Sequence, residues 1–107
     1  MMFDRKALSV SLHALHDSDL KAGRDIEILK EAVGEIIDAI EASGAELNDA
    51  DARHLAEAID ALGENQEFLA RSSILLILEG TEAKGSLAHK PILGLGQLRD
   101  QLKAITL

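Results

Sequence analysis

No cysteine, tryptophan or tyrosine occurs in the chain, and proline occurs once. The first absence excludes a disulfide framework, a thiolate zinc site and a cysteine nucleophile. The loss of both large polar rings leaves Phe3 and Phe68 as the only aromatic residues, so the core must be built from Leu, Ile, Val and Ala. Such a core suits thin, closely packed helices better than a sheet sandwich, because strands enrich β-branched and aromatic residues. With Pro91 the sole proline, residues 1–90 are free to form long helices. Long hydrophobic runs are lacking too: none approaches the roughly 18–20 apolar residues of a membrane span. The opening MMFDRKALSVSLHALH is a poor signal peptide, its apolar residues being interrupted by serine and histidine. A cytoplasmic protein with no membrane partner is expected.

What is present is aliphatic. Apolar residues make up 47% of the chain, which argues against disorder, and 107 residues suffice for a single domain, 1–107, with one modest core. The net charge of −8 is unevenly placed. Residues 25–64 hold twelve acidic and two basic groups, whereas 1–24 and 65–107 are each close to neutral. An acidic middle repels phosphates, so no nucleic acid partner is expected.

The stretch DIEILKEAVGEIIDAIEASG, residues 25–44, carries the clearest pattern. Ala22, Ile26, Leu29, Val33, Ile36 and Ile40 alternate in steps of four and three, while Arg24, Glu27, Glu31, Glu35 and Asp38 fall on the opposite side. The spacing predicts an amphipathic helix from about Asp19, N-capped by Ser18, to Ser43, ending at Gly44. Asn48 or Asp49 should cap another, with Ala52, Leu55, Ile59 and Leu62 inward. Gly63 should bend or end it before the helical pattern resumes through ENQEFLARSSILLILEG. Residues 80–94 read as a loop, and Leu95 to Ile105 as a short helix with Leu95, Leu98, Leu102 and Ile105 on one face. Earlier in the chain, Asp4 to His16 alternates like a strand over residues 7–15, yet it also shows helical stripes. Helix is the reading taken, for want of a second strand to pair with it.

These elements predict an all-α fold: a small helical bundle built on a long antiparallel helical hairpin, residues 19–43 against the helix that follows. The segment Ile74 to Leu78 is apolar all round, and Phe3, Val10 and Ala14 form a second stripe on the first helix. This is more apolar surface than one such chain easily covers. Dimerisation is therefore expected to complete the bundle, through Phe3, Val10, Ala14, Ile74, Leu75, Ile77 and Leu78.

Chemistry-bearing residues are sparse. His13 and His16, followed by Asp17, and the pair Asp51 and His54 stand at helical spacing. They lack the repeated carboxylate-x-x-His pairs and inward glutamates of a di-metal bundle, and read as rim groups with local contacts. His89 has no partner that sequence assigns. DADARHLAEAID, from Asp49, places Arg53 and His54 where a calcium loop needs an oxygen ligand and a glycine, and is rejected as one. GLG at 94–96 lacks the lysine and strand of a phosphate loop. Ser9, Ser11, Ser72 and Ser73 have no glycine elbow that would make a hydrolase nucleophile.

One pattern goes further. EAVGEIIDAI (31–40) followed by EAID (57–60) resembles the all-α nucleoside triphosphate pyrophosphatases, the MazG-like family, over about residues 26–78. The family signature is Glu-Glu-x-x-Glu on one helix and Glu-x-x-Asp on the next. The resemblance implies that Glu31, Glu35, Glu57 and Asp60 would gather Mg²⁺ to bind a triphosphate and activate water. Ala32 stands where the family has the second glutamate, and the four acids fall on outer helix faces. The favoured reading is accordingly a non-enzymatic, homodimeric interaction module with no catalytic residue and no cofactor, an adaptor, inhibitor or regulator. Its acidic face would suit a protein partner with a basic surface. The alternative is a Mg²⁺-dependent pyrophosphatase of the MazG-like type.

Overall fold

The structure, a computed structural model, describes residues 25–44 and 46–105. The expected helix at Asp4–His16, the Ser18 cap, the start of the next helix and the candidates Phe3, Val10, Ala14, His13, His16 and Asp17 lie outside these residues. Within them the chain is all-helical, with no strand. Four α-helices follow one another: α1 (Asp25–Ser43), α2 (Asp49–Gly63), α3 (Glu67–Glu79) and α4 (Leu95–Ala104). A short 3₁₀ turn, Gly85–His89, interrupts the loop between α3 and α4. No helix among the described residues is long and apolar enough to cross a membrane.

Each boundary has a local cause. α1 stops at Gly44, whose φ of +70° suits a residue without Cβ. α2 starts at Asn48, whose Oδ1 accepts from the Asp51 N–H at 2.7 Å, satisfying an amide that the first turn leaves open. Gly63 ends α2, as the composition suggests, but it does not make the turn. Asn65 does, at φ +61°, with its N–H on the Leu62 carbonyl and the Gln66 N–H on that of Ala61. Asparagine tolerates the left-handed region, and this bond pair closes a helix end in three residues. The same device ends α3: the Gly80 N–H bonds to Ile77 and the Thr81 N–H to Leu76, with Gly80 at φ +70°.

α2 is the centre of the molecule. Nine of its fifteen residues are buried, four of them alanines. These small side chains let α1, α3 and α4 all approach the same helix, and α3, across the tight turn, makes the most extensive contact with it. One continuous core results. It joins Ile26, Leu29, Val33, Ile36, Ile37 and Ile40 of α1 to Leu55, Ile59 and Leu62 of α2, Ile74 and Ile77 of α3, and Leu98 and Leu102 of α4. The α1 stripe read from the sequence is the buried one, and Glu27, Glu31, Glu35 and Asp38 face outward.

The expected interface residues of α3 fall on two sides of the helix. Ile74 and Ile77 are fully buried and Leu78 nearly so, all three within this chain's own core. They need no second subunit, because α3 packs against both α1 and α2 and is thereby covered on one whole side. Leu75 and Leu76 on the far side are only half-buried.

Asn48→Ala should lower the unfolding free energy by about 1 kcal/mol, read from the urea midpoint, whereas Asn48→Asp keeps an acceptor and should change it little. An unaltered midpoint in the alanine variant would show that the cap plays no part.

Candidate functional site

One face of α2 gathers polar groups, and they hold the 80–94 loop. His54, 1% exposed, approaches the Thr81 carbonyl through Nε2 at 3.0 Å. A carbonyl only accepts, so Nε2 is the donor in this bond. Nδ1 is itself buried and has no hydrogen-bond partner among the described residues. Thr81 is in place because the capping bonds that close α3 direct the chain there.

One residue before His54, Arg53 donates from Nε to the Lys90 carbonyl at 3.0 Å. One and two turns further along, Glu57 and Asp60 receive the Lys90 ammonium, at 3.4 and 2.6 Å. Lys90 precedes Pro91 and is extended, with φ −68° and ψ 141°, as that position requires. Its carbonyl and side chain therefore both reach the helix. The lysine pKa is raised above its ordinary 10.5, mainly by the hydrogen bond to Asp60, with the Glu57 carboxylate adding to it and partial burial opposing it. The charged form is thus favoured by folding. Its contribution is complete below about pH 10.5 and disappears as the pH climbs through the raised value.

A second clamp joins the ends of the described chain. Arg99 of α4 donates to Asp38 at 2.6 Å through Nη2, and to Glu41 through Nη1. Glu41 first, then Asp38, raises the guanidinium pKa. Both carboxylates are well exposed, so this fork sets where α4 lies along α1 more than it stabilises the fold. Lys30 completes the attachment by donating from Nζ to the Ile105 carbonyl at 2.8 Å.

The four acids of the pyrophosphatase resemblance are distributed otherwise. Glu57 and Asp60 share one neighbourhood, and there they hold Lys90. Glu31 and Glu35 are exposed on α1. Among the described residues, no group of three or more histidine, aspartate or glutamate side chains is arranged to hold a metal ion. Two oxygens already neutralised by an ammonium make a poor start for a Mg²⁺ site. A hollow of about 520 Å³ lies where α1 meets α4 and is lined by Glu27, Lys30, Glu31, Leu102 and Lys103. Its lining mixes two cations, Lys30 and Lys103, with the carboxylates of Glu27 and Glu31.

Arg53, Lys90 and Arg99 were not singled out by motif, though each carries a distinct bond here. The sequence does hold a signal for Lys90: a cation fixed in extended backbone by the following proline. Phe68 is the other omission. One of only two phenylalanines, it is 86% exposed.

Lys90→Met should loosen the loop without unfolding the bundle. Amides of residues 82–90 should exchange about fivefold faster, equivalent to roughly 1 kcal/mol of lost closure. Unchanged exchange there would mean that the Arg53 and His54 bonds suffice alone. His54→Leu removes the donor to Thr81 and should cost about 1–3 kcal/mol in urea unfolding; a variant as stable as the parent would show the bond to be dispensable.

Comparison of the chain with protein-family models, with curated proteins and with solved structures finds no match.

Proposed function

We propose that the chain is a non-enzymatic, all-helical protein–protein interaction module that acts as a homodimer. The observation that carries this reading is the outer face of α3. Phe68 is 86% and Leu69 39% exposed there, beside half-buried Leu75 and Leu76. Fully burying a Phe or Leu side chain is worth about 1.5–3 kcal/mol each, so a cluster left in water favours any surface that covers it. The expected interface thus moves to the opposite side of the same helix, from Ile74, Ile77 and Leu78 to Phe68, Leu69, Leu75 and Leu76. The antiparallel pairing of α1 with α2 belongs to the same reading, as the platform on which α3 is presented.

A second surface suits a different protein. Glu27, Glu31 and Glu35 are exposed at successive turns of α1, and such a row favours a partner with a basic face. The adaptor or inhibitor role joins the two: a dimer made through α3 displays two acidic rows.

The Mg²⁺-dependent pyrophosphatase remains the rival, and it would require Lys90 to leave Glu57 and Asp60, and Glu31 and Glu35 to be brought to them. Two measurements separate the classes. Light scattering should give twice the chain mass at high micromolar concentration, falling towards the monomer on dilution; a monomer throughout removes the proposal. Nucleoside triphosphates incubated with the protein and Mg²⁺ should release no pyrophosphate. Release that is lost in Glu35→Gln or Asp60→Asn would establish the enzyme instead.

A further inference from the structure

The outer face of α3 has a symmetry that determines how two copies would meet. On its outer face Phe68, Leu69, Ser72, Leu75 and Leu76 are followed by Glu79 and flanked by half-buried Glu67 and Arg71, while Ala70, Ser73, Ile74, Ile77 and Leu78 are buried on the other side. Counted from Ser72, the apolar positions fall at −4, −3, +3 and +4. The stripe is the same read in either direction: two apolar residues, a small one, two apolar residues.

We infer, resting on the homodimer reading, that α3 pairs with α3 of a second copy in antiparallel fashion, about a two-fold axis passing beside Ser72. With a rise of about 1.5 Å per residue, Phe68 and Leu69 lie about 5–6 Å to one side of the axis, and Leu75 and Leu76 the same distance to the other. The two-fold brings Phe68 and Leu69 of one copy level with Leu75 and Leu76 of its partner, twice over. That is the self-complementarity that an isologous contact demands. At the crossing, two serines face each other, and their small side chains let the helices come close.

Charge selects the antiparallel sense. In a parallel pair each exposed Glu79 would lie beside the other Glu79. Reversed, each carboxylate comes level with Asn65, in the turn just before the amino-terminal end of the partner's α3. Gln66 gives that end no side-chain cap, and the positive dipole end, which already carries Glu67 in its first turn, favours an anion. A ring and three leucines a side make a small contact beside the ~800 Å² per partner of a standard interface, so the association is of the weak, concentration-dependent kind.

The absence of cysteine makes the test clean. Ser72→Cys should oxidise to a disulfide-linked dimer at least ~10-fold faster than Gln101→Cys, an exposed control on α4, because a partner holds the thiol at high effective concentration. Phe68→Cys mixed with Leu76→Cys should cross-link to each other faster than either does to itself. Phe68→Cys linking preferentially to Phe68→Cys would mean parallel helices and overturn the inference. A chain that is dimeric by light scattering, but whose Ser72→Cys variant reacts no faster than the control, overturns this interface and leaves the homodimer standing. A chain that is monomeric at every concentration removes both.

Discussion

A helix surrounded on most sides must solve two problems at once, and α2 is such a helix. Its alanines admit three other helices to close range, which compensates for a core without large rings. But the same closeness buries His54 and Asp51, which an amphipathic surface helix would leave in water. A buried imidazole N–H needs an acceptor. The Thr81 carbonyl supplies it, and the loop that carries Thr81 is thereby drawn onto α2. The position of the 80–94 segment follows from that requirement.

The charge distribution acquires a structural meaning from this arrangement. The acidic middle of the chain is the dock for the basic groups of its last third. Lys90 lies on Glu57 and Asp60, Arg99 on Asp38 and Glu41. Pairs this exposed contribute little stability one by one. Their effect is on register: they determine where the loop and α4 lie once the leucines have brought them close. The row Glu27, Glu31 and Glu35 remains outward and available to another molecule.

α3 is used on both faces in different ways. Its inner side, with Ala70, Ile74 and Ile77, closes the core against α1 and α2. Its outer side carries Phe68, Leu69, Leu75 and Leu76, exposed or half-buried. An interaction module requires this division of labour: a face that builds the domain and a face that remains for a partner.

Periodicity in the sequence determined the all-helical class, the inward stripe of α1, the helices at 49–63 and 95–104 and the glycine stop at Gly44. These depend on contacts within one turn, which the order of residues encodes directly. Three matters were decided only by the tertiary structure. Which side of the all-apolar Ile74–Leu78 segment is buried depended on where α1 and α2 lie, because such a segment has no polar face to orient it. Both Gly63 and Asn65 can reverse the chain before α3, and it is Asn65 that takes the left-handed conformation while Gly63 remains helical. And Glu57 and Asp60, which could serve a metal as readily as a lysine, were assigned by a partner thirty residues away, because the sign of a neighbouring charge is a property of space and not of spacing.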